Sequence, residues 1–383
     1  MKLNSDSTKK IAVTIDLSRD YLANGVQQNL IFLADCINQI TDKECFFLYI
    51  GKLDNKNYIL NYSCISYDVY LKEKVNTFDL VIYAGFLPQP DLHSFDRNRS
   101  KSTKFVYLQF GNELNEDIDS ILHPSEKRNK ETFVVNMYEF DQIWTSPHYK
   151  KSVPYLATKH HNQEVKISPY LWDDKFLKMQ FENLKLNISF DNFKLNLNYK
   201  KVAVFEPNLF YTKTCLIPLY IIESYIQRYS CEIEALNIFG AKNLVKNEYF
   251  IKLILSMDIY NKKKDFLKIH PRINFLHAVN KYGGLIISHQ IYNELNYLYF
   301  EALYLSLPLV HNSNSLKDYG YFYNEHDIFK ASYHIEQILK YHKENIHKQK
   351  LKNQELFKQH SPFSQINKNG YEELIDSLII KKR

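Results

Sequence analysis

The residues of this 383-residue chain best placed to do chemistry gather at 283–323, where His289-Gln290-Ile291-Tyr292-Asn293-Glu294 separates two apolar stretches. His289, Asn293 and Glu294 supply an imidazole, an amide and a carboxylate, a set able to hold hydroxyl groups and to move a proton. Ahead of them, 285–288 (LIIS) is a short apolar run of the kind a buried parallel strand needs. Behind them, Leu295, Leu298, Ala302, Leu303 and Leu305 recur at helical spacing and predict a helix starting near Asn293 or Glu294. Pro308 ends that helix, Leu309-Val310 opens another strand, and His311-Asn312-Ser313 leaves its carboxyl end. Open α/β sheets bind ligands at such strand ends, and a helix N-terminus aimed there suits a phosphate.

Other strand ends carry candidates of the same kind. The run 105–110 delivers Gly111-Asn112-Glu113, which makes Glu113 a candidate acid or base; Asn and Glu also suit the start of a helix, and that plain reading stands beside it. Glu206-Pro207-Asn208 follows a strand expected at 201–205 (KVAVF). Lys213 is the only Lys or Arg between that strand and a helix expected from Cys215 or Leu216 to Tyr229. An ammonium close to helix N-terminal amides offsets phosphate charge; the alternative is a solvated loop lysine. Arg272 precedes a helix expected at 274–281, a place that disfavours a cation unless something anionic lies nearby. The catalytic base stays open among Asp16, Glu113 and His161.

The elements that must position these residues read as two α/β domains. Strands are expected at 10–17, 46–50, 80–84, 105–110, 141–146 and 165–169, with helices at 26–40 and from Pro147 to Lys159. Together they make an N-terminal domain of residues 1–175. Residues 176–200 alternate Lys and Asn with Phe and Leu, and read as an interdomain segment with some extended structure. A C-terminal domain of residues 201–365 follows, with a strand expected at 231–239 and a helix at 241–255. Residues 366–383 close the chain with an amphipathic helix. The length suits two cores of ordinary size, and 45% hydrophobic with 24% charged residues is a globular balance that excludes disorder.

The formal charge of +6 comes from lysines spread along the chain, which read as solvated faces more readily than as an acidic-partner surface. Five cysteines without CxxC spacing read as reduced thiols, neither a disulfide framework nor a zinc site. No apolar run approaches the roughly 18 residues of a spanning helix, and no signal peptide is visible. A cytoplasmic protein is expected, at most peripheral to a membrane.

The order of residues also carries a resemblance. Ser288, Asn293, Glu301-Ala302 and Leu307-Pro308-Leu309-Val310 follow the rhythm of nucleotide-sugar glycosyltransferases of the GT-B fold: a serine, a Glu, a second Glu eight positions later followed by Ala, then Gly-x-Pro-Val. Asn293 holds the place of the first Glu with Glu294 beside it, and Ser306 or Leu307 stands where Gly is usual. More closely, SHQ…LNYLYFEALY…PLVHNS…GYFY with VAVFEPN…KT…IP resembles a bacterial domain-of-unknown-function family grouped with those transferases.

The resemblance implies two Rossmann-like domains facing across a cleft, the first on the acceptor side and the second holding the nucleotide sugar. It implies that the final helix packs back on the N-terminal domain. Gly25, at the first strand-to-helix turn, would sit against donor phosphate or acceptor, where Gly permits close backbone approach; Asn24-Gly25 is also an ordinary turn. Lys213 and Arg272 would hold the diphosphate, and Glu206 would orient Lys213 or contact the sugar. Glu301 would accept from the ribose hydroxyls, and His311, Asn312 and Ser313 would contact base or phosphates. No Asp-x-Asp pair calls for a metal, and no cofactor is implied beyond the nucleotide sugar itself. The expected activity is glycosyl transfer, with a lean toward retention, to a surface polysaccharide or lipopolysaccharide-type acceptor, a glycan or glycolipid reached at the inner membrane. Three rivals stay open: transfer to nucleic acid, a sugar-nucleotide epimerase or hydrolase on the same fold, and a catalytically silent binding scaffold.

Overall fold

The computed structural model describes residues 8–18, 20, 22, 24–52, 58–73, 77–87, 102–122, 140–161, 163–186, 189–190, 198–261 and 265–379. The chain divides into two units, residues 1–173 with 358–383, and residues 174–357.

Unit 1 is built on β1 (Lys9–Asp16), whose last six residues are all buried. A β-branched run buried on both faces is what a central parallel strand requires. β2 (Lys43–Ile50) pairs with it from Lys9↔Lys43 to Asp16↔Ile50. Among the described residues the sheet runs β3-β4-β2-β1-β5-β6-β7-β8. Its other members are β3 (Tyr58–Ile59), β4 (Tyr62–Ser66), β5 (Leu80–Tyr83), β6 (Lys104–Gln109), β7 (Gln142–Thr145) and β8 (Val165–Ile167). Every pairing is parallel except the β3–β4 hairpin, which turns through Leu60 and Asn61, both at positive φ. α1 (Gly25–Ile37), α2 (Tyr67–Glu73), α3 (Glu113–Leu122) and α4 (Val153–Lys159) connect the strands. The helix expected from Pro147 begins as a 3₁₀ turn, Pro147–Ser152, and becomes α-helical at Val153.

Unit 2 opens with α5 (Lys175–Leu184). Extended structure was expected here, but Phe176, Leu177 and Gln180 bury one face of a helix, and that burial outweighs the mixed composition. The rest of that segment is described only in part, 187–188 and 191–197 lying outside the described residues. The second sheet runs β11-β10-β9-β12-β13-β14, all parallel. Its strands are β9 (Lys201–Val204), β10 (Ala235–Phe239), β11 (Leu267–His270), β12 (Leu285–Ile287), β13 (Leu309–His311) and β14 (Tyr321–Phe322). Between them lie α6 (Leu216–Arg228), α7 (Glu248–Leu255), α8 (Asp258–Asn261), α9 (Phe275–Tyr282) and α10 (Tyr297–Tyr304). Where one helix was expected at 241–255, a 3₁₀ turn (Leu244–Lys246) precedes α7, and Asn247 caps the helix by accepting from the Phe250 amide at 3.0 Å. Gly283 ends α9 at φ 123°, and a Cβ there would stand 2.2 Å from that of Lys201, so only glycine lets the chain turn into β12.

α11 (Ile328–His360) carries the chain from unit 2 into unit 1, and α12 (Gln365–Ile379) belongs to unit 1. Tyr371 of α12 donates to the Pro169 carbonyl at 2.9 Å. Asp376 meets Lys43 Nζ at 2.9 Å, with the lysine side chain almost wholly enclosed.

Candidate ligand site at the carboxyl edge of the second sheet

The chain leaves β9 for β10 on one side, while β12 joins β9 on the other. The carboxyl ends of β9 and β12 therefore stand side by side where the strand order reverses, the place at which an open α/β sheet leaves a crevice. Glu206 follows β9, Ser288–Glu294 follow β12, and His311–Ser313 end and follow β13.

Glu206 is the floor of this region and is fully buried. Its Oε1 accepts from the Ser288 hydroxyl and from the His289 amide at 3.3 Å, and its Oε2 accepts from Gln290 Nε2 at 3.1 Å. Ser288 Oγ also lies 3.0 Å from the Tyr299 hydroxyl. Burial pushes the Glu206 carboxyl up to about 7, against the opposing pull of Ser288, the Lys213 charge, the His289 amide and Gln290. Closed off from solvent, Glu206 positions the loop above it.

Gln290 is the hub of that loop. While its Nε2 reaches Glu206, its Oε1 accepts from Asn293 Nδ2 and from Asn296 Nδ2, the latter at 3.0 Å. Asn312 bonds the Gln290 backbone on both sides, Oδ1 accepting from the amide and Nδ2 donating to the carbonyl, each at 3.0 Å. Glu294 ties the loop to the turn after β13: its carbonyl accepts from Ser313 Oγ at 2.6 Å, and its Oε2 from Ser315 N at 3.0 Å and Ser315 Oγ at 2.5 Å. Ile291 N donates to the Thr212 carbonyl at 2.9 Å and joins this loop to the one bearing Lys213.

The Lys213 loop is held by Asn208, itself at φ 54°. Asn208 Oδ1 accepts from the Cys215 amide at 2.8 Å, ahead of the first turn of α6, and its own amide donates to the Lys213 carbonyl at 3.0 Å. Lys213 is half-buried beside α6, near enough to Glu206 for its charge to draw that carboxyl down.

Among the described residues one buried side-chain atom of this region, on His289, has no hydrogen-bond partner. His289 Nδ1 lies 3.0 Å from the Tyr323 hydroxyl, which also reaches the Ser288 carbonyl at 3.3 Å. His289 Nε2 is buried and bonds nothing. Burial, aided by His326, pulls this imidazole down to about 4 and keeps it neutral at pH 7. With the phenol proton on the Ser288 carbonyl, Nδ1–H donates to the phenol oxygen and Nε2 presents a lone pair. Glu301, in the second turn of α10, is 8% exposed, and burial pushes its carboxyl up to about 8. No hydrogen bond or ion pair of the Glu301 carboxyl offsets that burial.

The remaining expected residues fall elsewhere. The helix read from Asn293 or Glu294 starts at Tyr297, because Asn296 is the residue that caps it, accepting from the Leu298 amide at 3.0 Å. That leaves Asn293 and Glu294 in a loop. His311 was expected to meet base or phosphates, yet it is fully enclosed: Nδ1 accepts from Ser313 N at 3.2 Å and Nε2–H donates to the Tyr319 carbonyl at 2.8 Å. Burial draws it to about 4, so it shapes the loop as a neutral ring. Arg272 is exposed after β11, the edge strand separated from β9 by β10. Gly25 is the exposed first residue of α1, capped by Asn24.

Glu113, in unit 1, opens α3 with Oε1 2.6 Å from Lys159 Nζ and Oε2 3.2 Å from His160 Nε2. Burial alone would raise its carboxyl, but His160 and Lys159 outweigh it and hold the group below its ordinary range. A carboxylate held by the Lys159 ammonium and the His160 ring makes a poor proton shuttle. Sequence reasoning missed Gln290, Asn296, Tyr299 and Tyr323 as parts of the site. A run of amides at 290, 293 and 296 was the available signal. Among the described residues no group of three or more His, Cys, Asp or Glu side chains is arranged to hold a metal ion.

Solved structures of similar fold extend over nearly the whole chain. A sucrose-phosphate synthase from Thermosynechococcus elongatus superposes with a TM-score of 0.60 at 10% identity, covering 98% of this chain and 100% of that one. A UDP-forming α,α-trehalose-phosphate synthase from Burkholderia xenovorans gives 0.59 at 11% identity over 97% and 99%. A glycosyltransferase from Rickettsia africae gives 0.55 at 11% identity over 98% and 100%. No curated protein matches the chain. The two parallel sheets with their helices are the Rossmann-like units of a GT-B protein. Residues 11–375 match the model of the family described as a protein of unknown function, DUF2827, and the chain belongs to that family.

Proposed function

We propose that the protein is a glycosyltransferase whose unit 2 binds a nucleotide sugar at the β9–β12 switch point. The observation that carries this reading is the buried His289 Nε2, which among the described residues has no hydrogen-bond partner, together with the Glu301 carboxyl, whose burial is offset by no nearby charge or hydrogen bond. Such groups cost free energy unless a ligand completes them. Glu301 is assigned to the ribose hydroxyls, since a carboxylate accepts from both members of a cis-diol. His289 Nε2 is assigned to a hydroxyl of the donor sugar. Lys213 and the N-terminus of α6 offset the diphosphate, the same groups stabilising it as leaving group and taking the place of a metal. Unit 1 is assigned to the acceptor, a glycan or glycolipid. Similarity to a UDP-forming synthase supports a uridine donor, and the match of Glu301-Ala302 to the second-Glu rhythm supports retention.

A thermal-shift screen against nucleoside diphosphates and nucleotide sugars tests the reading: stabilisation by one nucleotide, growing with one sugar, is expected, and no shift with any of them would sink it. The Glu301 assignment has its own signature. Ribose hydroxyls donating to Glu301 favour its ionised form, so bound nucleotide lowers a carboxyl that stands near 8 in the free protein. Affinity should therefore rise with pH up to about 8 and then level, with proton release visible as a buffer-dependent binding enthalpy. Glu301→Gln should flatten that profile, and it should stabilise the free protein above pH 8 by removing a buried charge. A variant that retains the wild-type pH profile removes Glu301 from the ribose.

A further inference from the structure

Helix α7 is apolar on both of its sides. Phe250 and Ile254 enter the core of unit 2, while Tyr249, Ile251 and Leu255 lie 76, 38 and 49% exposed. Val245 in the preceding 3₁₀ turn and Tyr260 in α8 are 45 and 55% exposed. A surface helix of a soluble protein turns polar residues outward, and a concentration of large open apolar side chains marks a surface that something covers.

The charges among them favour one occupant. Lys242, Lys246 and Lys252 are all exposed on this stretch. Its two carboxylates have local roles: Glu248 stands in the first turn of α7, where the helix dipole favours it, and Asp258 Oδ2 accepts from Gln227 Nε2 at 3.2 Å. Tyrosine rings and lysines with apolar stems are the side chains that settle at a headgroup boundary, ring or stem inward and polar tip in water. A second copy of the chain would instead set these lysines against each other.

We propose that this face, residues 242–260 in the crossover from β10 to β11, docks unit 2 on an anionic phospholipid surface. The crossover serves the β11 edge of the sheet, whereas the ligand loops follow β9, β12 and β13. Docking and donor binding therefore use different parts of the unit, and the inference stands whether or not the donor assignment does. No helix among the described residues is long and apolar enough to cross a membrane, so attachment of this kind rests on the surface.

The test is co-sedimentation of the full chain with phosphatidylcholine vesicles, with and without phosphatidylglycerol. Binding is expected only to the anionic vesicles and should weaken as salt is added. Each lysine near such a surface contributes on the order of fivefold in partitioning. Lys246→Glu with Lys252→Glu should therefore lower binding at least ~tenfold, and Tyr249→Ser with Leu255→Ser should lower it independently. Both variants replace exposed side chains and should keep the wild-type melting temperature. Failure of the wild type to bind anionic vesicles, or variants that bind as it does, would overturn the proposal. A wild-type dimer by light scattering that Tyr249→Ser with Leu255→Ser splits would assign the face to a second copy and overturn it equally.

Discussion

Glu206→Ala is expected to destabilise the protein by about 3–5 kcal/mol, the cost typical of removing one member of a buried charged network. The substitution leaves the Ser288 hydroxyl, the His289 amide and the Gln290 side-chain amide without their acceptor in a region closed to water. The loss should appear as an earlier urea midpoint, accompanied by weaker nucleotide binding as the 288–296 loop loses its floor. An unchanged midpoint would mean that the loop holds its shape by other contacts.

The same carboxyl should make stability depend on pH. Its folded value of about 7 lies above the roughly 4.3 of an unfolded glutamate. Between those values the folded chain holds a proton that the unfolded chain has released. The contribution is therefore fully present below about pH 4 and is lost as pH rises through 7. When protonated, Glu206 can donate to Ser288 Oγ, which passes its own proton toward Tyr299. Glu206→Gln removes the titration, so the variant should show a flatter stability profile across this window than the wild type. Equal profiles would assign the pH dependence elsewhere, with Glu301 the next group to examine because its raised carboxyl acts in the same direction.

Lys213→Ala is expected to weaken nucleotide binding by about 1.5–3 kcal/mol, the range for a hydrogen bond to a charged group. Lys213 lies just ahead of α6 on a loop braced by Asn208 and by the Thr212–Ile291 contact, so the loop needs little ordering when a diphosphate arrives. Lys213 also draws the Glu206 carboxyl down, which allows its two roles to be separated. Loss of affinity alongside the upward move of the Glu206 transition places the lysine on the ligand as well as on Glu206. Unchanged affinity, with the Glu206 transition moved to higher pH, would make it a counter-charge only. Titration calorimetry and urea melts on one variant read both.

Much of the fold was legible before any coordinates. The runs that became β1, β5, β6, β9, β12 and β13 are continuous and apolar, and turn residues bound several of them. Burial on both faces of a parallel sheet requires that pattern, so their existence followed from composition and length. Short edge strands carried less signal. β11 begins at Leu267 and β14 holds only Tyr321 and Phe322, and each is a strand because a neighbour supplies its ladder. The closing helix expected within 366–383 is α12, Gln365–Ile379, whereas the long α11, Ile328–His360, is largely polar and is held as a helix by contacts within the fold that periodicity does not show.

Local chemistry in the sequence determined that the strand ends of unit 2 would be polar, with His289, Asn293, Glu294 and Glu301 close together along the chain. Tertiary structure alone decided which of them are spent and which are free. Glu294 is drawn to Ser315, and both nitrogens of His311 are used within its own turn. Glu113 is held by the Lys159 ammonium and the His160 ring, distant in sequence and brought to it by folding. Glu206 becomes a buried anchor because β12 packs beside β9. Among the described residues His289 Nε2 keeps no hydrogen-bond partner, and nothing offsets the burial of the Glu301 carboxyl. Residue type and spacing state what a side chain can bond, but the partner that satisfies it arrives from another strand, and only the packed sheet shows where none does.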